Sequence, residues 1–513
     1  MAKNPALPLP HPPSLHAADT HVARLRLLFA LHAVVWTAGA WLYRSNLDWA
    51  GDMLENYVWG IEWQAGYHKH PPLFAWITAA WFAVFPRSDA AYFALSNLNA
   101  LVGLCGIVAL AGRFLTPGLA AVAGLAMAVS PIYTTLAIKF NANTVLLSLW
   151  PWTAYFFVRY VQSGTRKDAM ALGVAAALAL LGKYFSVALL AGLAVAGLAR
   201  PAWRARLLHP HVWLTAMAAA IVLFPHIEWM LHTGMQTIVY ARQRMDDVSH
   251  PLPVVAADLV RYSLMQAGYL LPSAAFLLLL SGHRRAQAAK LMLHSWTHRI
   301  LCRDLWWLSI GTFLAICALA FVTRTGLSAL WGNTQWFAIV PFWMAILDNA
   351  GIAMEQRRIA RLMAIYWIVV LALSAAGGIV NAQRHERLTA EPRAELAKLA
   401  TAIWRERTGQ PLAIVSGDDK EARAIAFYGP DRSHYWDLFE PATTPWLTER
   451  DVRRAGALLV CREANRGCID AAQAFTGAAP VAVEVAKTAW GLRLPAHRYL
   501  LFVLLPSAVP HAG

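Results

Sequence analysis

Residues 48–72, DWAGDMLENYVWGIEWQAGYHKHPP, gather the side chains best suited to chemistry. Asp48, Asp52, Glu55 and Glu62 supply carboxylates, and His68, Lys69 and His70 supply proton carriers or cations. Trp and Tyr stand between them. Carboxylates take protons from hydroxyls, and lysine binds phosphate as a point charge. The stretch lies between apolar segments 25–43 and 73–86, so this chemistry would sit at a membrane surface. Plainer readings stand beside it. Asp52 suits a helix N-cap. Glu55, one turn on, shares its face and is a second candidate base, or a ligand for a divalent ion. Asp48 reads as a solvated loop residue. The His-Lys-His cluster reads equally as an interfacial patch meeting anionic lipid, and the aromatics as a belt. No His-x-x-x-His pair marks a metal site, and the metal requirement stays open.

Other polar residues interrupt apolar stretches further on. Asn141 and Asn143, in KFNANT, precede an apolar segment, where Asn143 suits an N-cap. Lys183-Tyr184 separates two short apolar segments. A lysine there is costly unless it reaches water or an anion, and snorkelling is its alternative. The stretch 225–244 carries His226, Glu228, Arg242 and Arg244. Guanidinium groups suit a phosphate clamp; an amphipathic helix lying on lipid is the competing reading. Arg324, near Trp331, Gly332 and Trp336, repeats the pairing of cation and aromatics. No Gly-rich nucleotide loop and no Ser-His-Asp order is evident, which disfavours a nucleotide-sugar donor.

The elements that must position these residues are membrane helices. Of 513 residues, 58% are hydrophobic and only 14% charged, where a soluble chain carries about a quarter charged. The chain therefore reads as a polytopic α-helical membrane protein. Its net charge of +15 then belongs to cytoplasmic loops and anionic headgroups, with no nucleic-acid signature. Residues 1–22 read as a disordered cytoplasmic tail without signal-peptide features. Spans are expected at 25–43, 73–86, 92–112, 117–137, 144–160, 170–181, 184–199, 212–225, 263–280, 305–322, 334–350 and 362–380, roughly eleven to thirteen helices within 23–380. Basic residues at 166–167, 200–206, 284–303 and 357–361 mark cytoplasmic loops. The first loop, 44–72, then faces outside with 226–253, 324–333 and everything after 380. Three spans in 87–160 break this parity, which points to a broken or re-entrant piece near Pro131. Residues 381–513 alternate short apolar runs with helical stretches and read as a small external α/β domain. Cys461 and Cys468 fall in it, and an oxidising compartment favours a disulfide between them. The other cysteines fall in spans or a cytoplasmic loop and are expected to be free.

The first loop resembles that of C-type glycosyltransferases in the protein-mannosyltransferase-like family, which includes bacterial enzymes of lipid A and lipopolysaccharide core. There an Asp opens a short amphipathic segment, and Gly-Tyr and Pro-Pro follow before the next helix. Asp52, Gly66-Tyr67 and Pro71-Pro72 stand here in that order. Met53 replaces a frequent Glu, with Glu55 as a stand-in. The resemblance continues weakly through most of the membrane part, to about residue 345, and is much weaker after 380. It implies a C-type fold and an inverting transfer from a polyprenyl-phosphate sugar to an envelope glycolipid, at the external face of a bacterial inner membrane. Asp52 becomes the general base, with Glu55 beside it. Lys69, Lys183, Tyr184, Arg242 and Arg244 become donor-phosphate ligands, and His70, Asn141, Asn143 and His226 substrate contacts. A divalent metal ion is the one cofactor left open. A protein acceptor is the second choice, and a lipid-linked-sugar transporter or flippase is the competing class, for which paired inverted repeats are not seen.

Overall fold

The computed structural model describes residues 15–246, 250–299, 302–355 and 357–507, with the side chains of 15–24 and 244–246 outside that set. Helix α1 (Leu15–Tyr43) begins inside the segment expected to be a disordered tail, of which residues 1–14 lie outside the described residues. The first loop holds α2 (Asp52–Gly60) and leads to α3 (Leu73–Val84). Then follow α4 (Asp89–Ala111), α5 (Pro117–Ala128), α6 (Leu146–Ser163), α7 (Arg166–Gly182), α8 (Ser186–Ala199), α9 (Pro201–Leu207), α10 (Val212–His232) and α11 (Gln236–Asp246). The membrane part closes with α12 (Leu252–Leu280), α13 (Arg285–Leu293), α14 (Arg303–Thr323), α15 (Ile339–Asn349) and α16 (Arg357–Gln383). Among the described residues, 6 helices are long and apolar enough to cross a membrane, or 7 if α8 and α9 form one bent span.

Polar contacts sort the helix ends into two sets. At one end Arg200 pairs with Asp304, the Tyr160 hydroxyl donates to the Arg206 carbonyl at 2.9 Å, and Arg284 donates to the Gly351 carbonyl at 2.7 Å. The basic loops thus share one end. The opposite end carries the first loop, the turn after α7, the junction where His250 N donates to the Arg324 carbonyl, and the chain after α16. Helices α1, α4 to α8, α10, α12 and α14 to α16 run between these ends.

Helix α3 corrects an expectation. It was expected as the second span, yet both of its ends lie at the first-loop end. Trp76 donates to the Gln64 carbonyl at 2.8 Å, and beyond its C-terminus Arg87 donates to the carbonyls of Ala426 and Pro430 at 3.2 and 3.1 Å. Those two carbonyls belong to the C-terminal domain. The apolar faces of α3 are filled instead by protein: Phe82 meets Tyr57 and Phe427 edge-on, with ring centroids 5.9 and 5.1 Å apart. This restores the parity that the Pro131 region was expected to explain. There α5 simply ends at Ala128, and Ser130 caps one 3-10 turn, Pro131–Tyr133. Helix α10 likewise continues through Pro225 to His232, where a span ending at 225 was expected.

After α16, the short α17 (Arg387–Ala390) leads into an α/β domain. It holds α18 (Arg393–Thr408), β1 (Ile414–Gly417), α19 (Asp419–Tyr428), β2 (His434–Tyr435), α20 (Glu449–Ala455), β3 (Ala457–Arg462), α21 (Arg466–Thr476), β4 (Val481–Val485), the hairpin β5 (Thr488–Ala489) and β6 (Leu492–Arg493), and β7 (His497–Leu504). The main sheet runs β2-β1-β3-β7-β4, parallel across β2, β1 and β3 and antiparallel at β7. Leu458, Val460 and Leu501 carry its interior. A disulfide joins Cys461 on β3 to Cys468 on α21, with Cα atoms 5.6 Å apart, while Cys105, Cys302 and Cys317 are free. The domain is tied to the first loop. Asn46 donates to the carbonyls of Leu388 and Glu391 at 3.1 and 2.9 Å, Arg393 to the Asp48 carbonyl at 3.2 Å, and Lys487 to the Ser45 carbonyl at 2.6 Å.

Candidate active site

Helix α2 is opened by Asp48, four residues before Asp52. The Asp48 carboxylate accepts from the backbone N–H of Asp52 at 3.1 Å and of Met53 at 2.9 Å. Gly51 supplies the left-handed turn between them, at φ +86°, which a residue with a Cβ adopts only at a cost. Asp48 is therefore a buried cap, not a solvated loop residue. Asp52, relieved of capping, points its carboxylate outward. Its Oδ2 receives Lys139 Nζ at 2.7 Å and Asn141 Nδ2 at 2.9 Å, and the same Nζ lies 3.1 Å from Asp48 Oδ2. Partial burial works against the charge on Asp52, but the Lys139 ammonium and the two hydrogen bonds outweigh it and hold the carboxyl below its usual range.

The segment before α6 delivers those partners. Asn141 Oδ1 accepts from the N–H groups of Asn143 and Thr144 at 2.9 and 3.1 Å, so Asn141 shapes the turn that Asn143 was expected to cap. Asn56 on α2 donates to the Phe140 carbonyl at 2.7 Å, locking the two segments together. Asn143 is left to accept from Lys183 Nζ at 2.5 Å. Lys183 follows the last turn of α7 and lies 5.5 Å from the Trp331 ring centroid. Burial lowers its ammonium to about 8, with the negative charge of Asp52 opposing the shift.

Glu55 faces the other way. Its Oε1 is 2.9 Å from Lys69 Nζ and 3.2 Å from Arg423 Nη1 on α19. Burial opposes its charge, but Arg423 and Lys69 prevail and its carboxyl is lowered. A divalent ion on Glu55 would compete with the two cations that already hold its Oε1. Among the described residues no three His, Cys, Asp or Glu side chains converge as a metal-binding group. His68 and His70 lie beside Tyr240, with centroids 6.4 and 6.2 Å apart. Burial, aided by neighbouring lysines, lowers His68 to about 4 and His70 to about 3, so both rings are neutral near pH 7.

Tyr184 and His226 are occupied with each other. His226 Nδ1 lies 2.6 Å from the Ala65 carbonyl, which can only accept, so Nδ1 carries the proton. Its Nε2 then accepts from the Tyr184 hydroxyl at 2.6 Å, which accepts in turn from Thr237 at 3.0 Å. This chain fixes the first loop against α10 and α11. Gly66 sits so close to Trp229 that a Cβ would fall 2.4 Å from the ring. Arg242 lies on the exposed side of α11, and the side chain of Arg244 is outside the described residues. Sequence reasoning missed Lys139 and Arg423. The cost of a lysine among apolar segments, applied to Lys183, applies equally to Lys139 in KFNANT; nothing local marks Arg423.

The arrangement is an ionised, water-accessible carboxylate beside lysines and neutral imidazoles at one end of the bundle. It can accept a proton from a hydroxyl and hold an anion. Residues 69–229 match the family described as Dolichyl-phosphate-mannose-protein mannosyltransferase. The chain is 25% identical over 230 residues to the lipid A galacturonosyltransferase RgtD of Rhizobium johnstonii, covering 44% of this chain and 47% of that protein. It thus spans about half the length of that curated relative. It superposes on the crystal structure of ArnT from Cupriavidus metallidurans bound to undecaprenyl phosphate with a TM-score of 0.57 and 15% identity, covering 94% of this chain and 99% of that one. The apo form of that protein gives 0.49 and 14%, over 96% and 100%. The fold is the C-type glycosyltransferase fold that the first loop suggested.

Proposed function

We propose that this chain is a membrane glycosyltransferase that moves a sugar from a polyprenyl-phosphate donor to a hydroxyl of an envelope glycolipid, lipid A or lipopolysaccharide core, with inversion. The observation that carries the reading is the Asp52 carboxylate, 39% exposed and held ionised by Lys139 and Asn141 at the end that also presents Lys69 and Lys183. The match to a lipid A galacturonosyltransferase supports the acceptor class, and the undecaprenyl phosphate bound by ArnT supports the donor class. In this reading Asp52 takes the acceptor proton as the hydroxyl oxygen attacks the anomeric carbon. The anomeric C–O bond breaks, its electron pair leaves on the lipid phosphate, and Lys183, Lys69 and Arg242 stabilise that charge. Tyr184 and His226 hold the first loop in place and do not contact phosphate. The site end faces the periplasm of a bacterial inner membrane, because the basic loops gather at the opposite end.

Transfer of radiolabel from polyprenyl-phosphate sugars to lipid A or core acceptors, by purified protein in lipid nanodiscs, tests the reading. Asp52→Asn should fold normally and lose nearly all transfer, while Glu55→Gln keeps turnover. No transfer from any such donor by the unaltered protein, or near-normal transfer by Asp52→Asn, would overturn it. The family match to protein mannosyltransferases favours a protein acceptor as the second reading; label appearing in protein in place of lipid would select it.

A further inference from the structure

Glu55 holds two cations on one carboxylate oxygen, and they come from different parts of the fold. Lys69 belongs to the first loop, and Arg423 to α19 of the C-terminal domain. The Arg423 side chain is only 10% exposed. It lies 4.9 Å from the Tyr435 ring centroid, and its Nη2 is 3.2 Å from Asp419 Oδ2. The Lys69 side chain is 32% exposed and rests 5.8 Å from the Trp59 ring centroid. A second tie, between Glu62 and His434 at 2.7 Å, fixes β2 of the same domain against the loop.

Charge counting gives this triad a purpose. Buried Glu55 contributes one negative charge, and buried Arg423, protonated at any working pH, cancels it. Two more carboxylates face Arg423: Asp419 is 49% exposed, so water screens its claim, and buried Asp437 is taken up by the N–H groups of Phe439 and Glu440 and the Thr443 hydroxyl. The surplus positive charge therefore stands on Lys69, the member nearest solvent. Without Arg423, Glu55 would consume the charge of Lys69 and the site would lose a cation without losing a lysine.

We infer that Arg423 is a positioning residue: by neutralising Glu55 from the C-terminal domain, it leaves the Lys69 ammonium available to the donor phosphate. This rests on the reading of the site as one for a lipid-phosphate donor. It gives the C-terminal domain a part in donor binding.

Arg423→Gln, Glu55→Gln and the double variant, each in the full chain in nanodiscs, test it through donor KM and through binding of unglycosylated polyprenyl phosphate as a probe. Arg423→Gln should raise donor KM about tenfold, equivalent to about 1.4 kcal/mol, with kcat and acceptor KM changed by less than about twofold. Glu55→Gln should lower donor KM, because both cations lose their carboxylate. The double variant should return donor KM to near its starting value even if its thermal midpoint stays low. An unchanged donor KM in Arg423→Gln, or a raised one in the double variant, would overturn the inference. A purely structural role would weaken donor and acceptor use together. If Arg423→Gln does not fold, the sign of the Glu55→Gln effect decides: a raised donor KM refutes the idea. Absence of transfer by the unaltered protein would instead remove the glycosyltransferase reading, whereas normal transfer with an unresponsive donor KM removes only this inference.

Discussion

Replacing Lys139 with Met leaves the bulk of the side chain and removes its charge from beside Asp52. At 2.7 Å, a unit-charge pair is worth roughly 1.5 kcal/mol in bulk water and several times more in a medium of dielectric constant near 20. The two side chains are 30% and 39% exposed, so the solvent-screened limit applies and the loss is about 1 kcal/mol. Burial, which already opposes the charge on Asp52, then loses its main counterweight and the carboxyl titrates higher. A general base works only when deprotonated, so the acidic limb of kcat against pH must move upward. At a pH on that limb, the variant should be slower by roughly fivefold, the rate equivalent of about 1 kcal/mol. The deficit should close as pH rises past the limb. The assay is single-turnover transfer across a pH series at saturating donor and acceptor. A uniform loss at every pH, with the two profiles superimposable after scaling, would refute the argument and leave Lys139 a merely structural partner of Asp48.

Three further predictions rest on separate contacts. Lys183 titrates at about 8, so donor affinity should fall as pH rises through that value, and Lys183→Arg, which stays charged, should abolish the decline; an unchanged slope in that variant would exclude Lys183 from the phosphate. His434 is raised by its hydrogen bond to Glu62, so its tie is fully present below the unfolded histidine pKa and is lost as pH rises through the higher folded value; amide exchange in β2 should quicken on that rise, and not in His434→Gln. Opening the Cys461–Cys468 link by a double Ser substitution should cost about 2–3 kcal/mol in the chain-entropy model, read as a lower thermal midpoint of the domain, with kcat unaltered, since the pair lies away from Asp52.

Helical periodicity and apolar runs made the membrane part and the α/β region legible, because both signals are local. They could not tell a span from α3. A short apolar helix meets the same sequence criterion whether lipid or protein covers it, and here the cover is Phe427 and its neighbours in the C-terminal domain. The turn before α6 misled for a related reason. Asn141 and Asn143 are equally good capping residues by type, and the choice between them is made by partners distant in sequence: Asp52 takes the amide of Asn141, and Lys183 takes the oxygen of Asn143.

The same logic separates the two carboxylates of α2, which the sequence presents as near equals three residues apart. A carboxylate serves as a base only if its charge is held without being used up. Glu55 has its charge offset by Arg423 under cover of the C-terminal domain, with Lys69 on the same oxygen, and its side chain is only 11% exposed. Asp52 shares Lys139 with Asp48, so one ammonium faces two carboxylates and a net negative charge remains at the more exposed of them. Residue type and spacing identify which groups are present; in the proposed mechanism the balance of charge across Asp48, Lys139, Glu55 and Arg423 favours Asp52, and every pair in that balance except Asp48 with its own helix joins segments far apart in the chain.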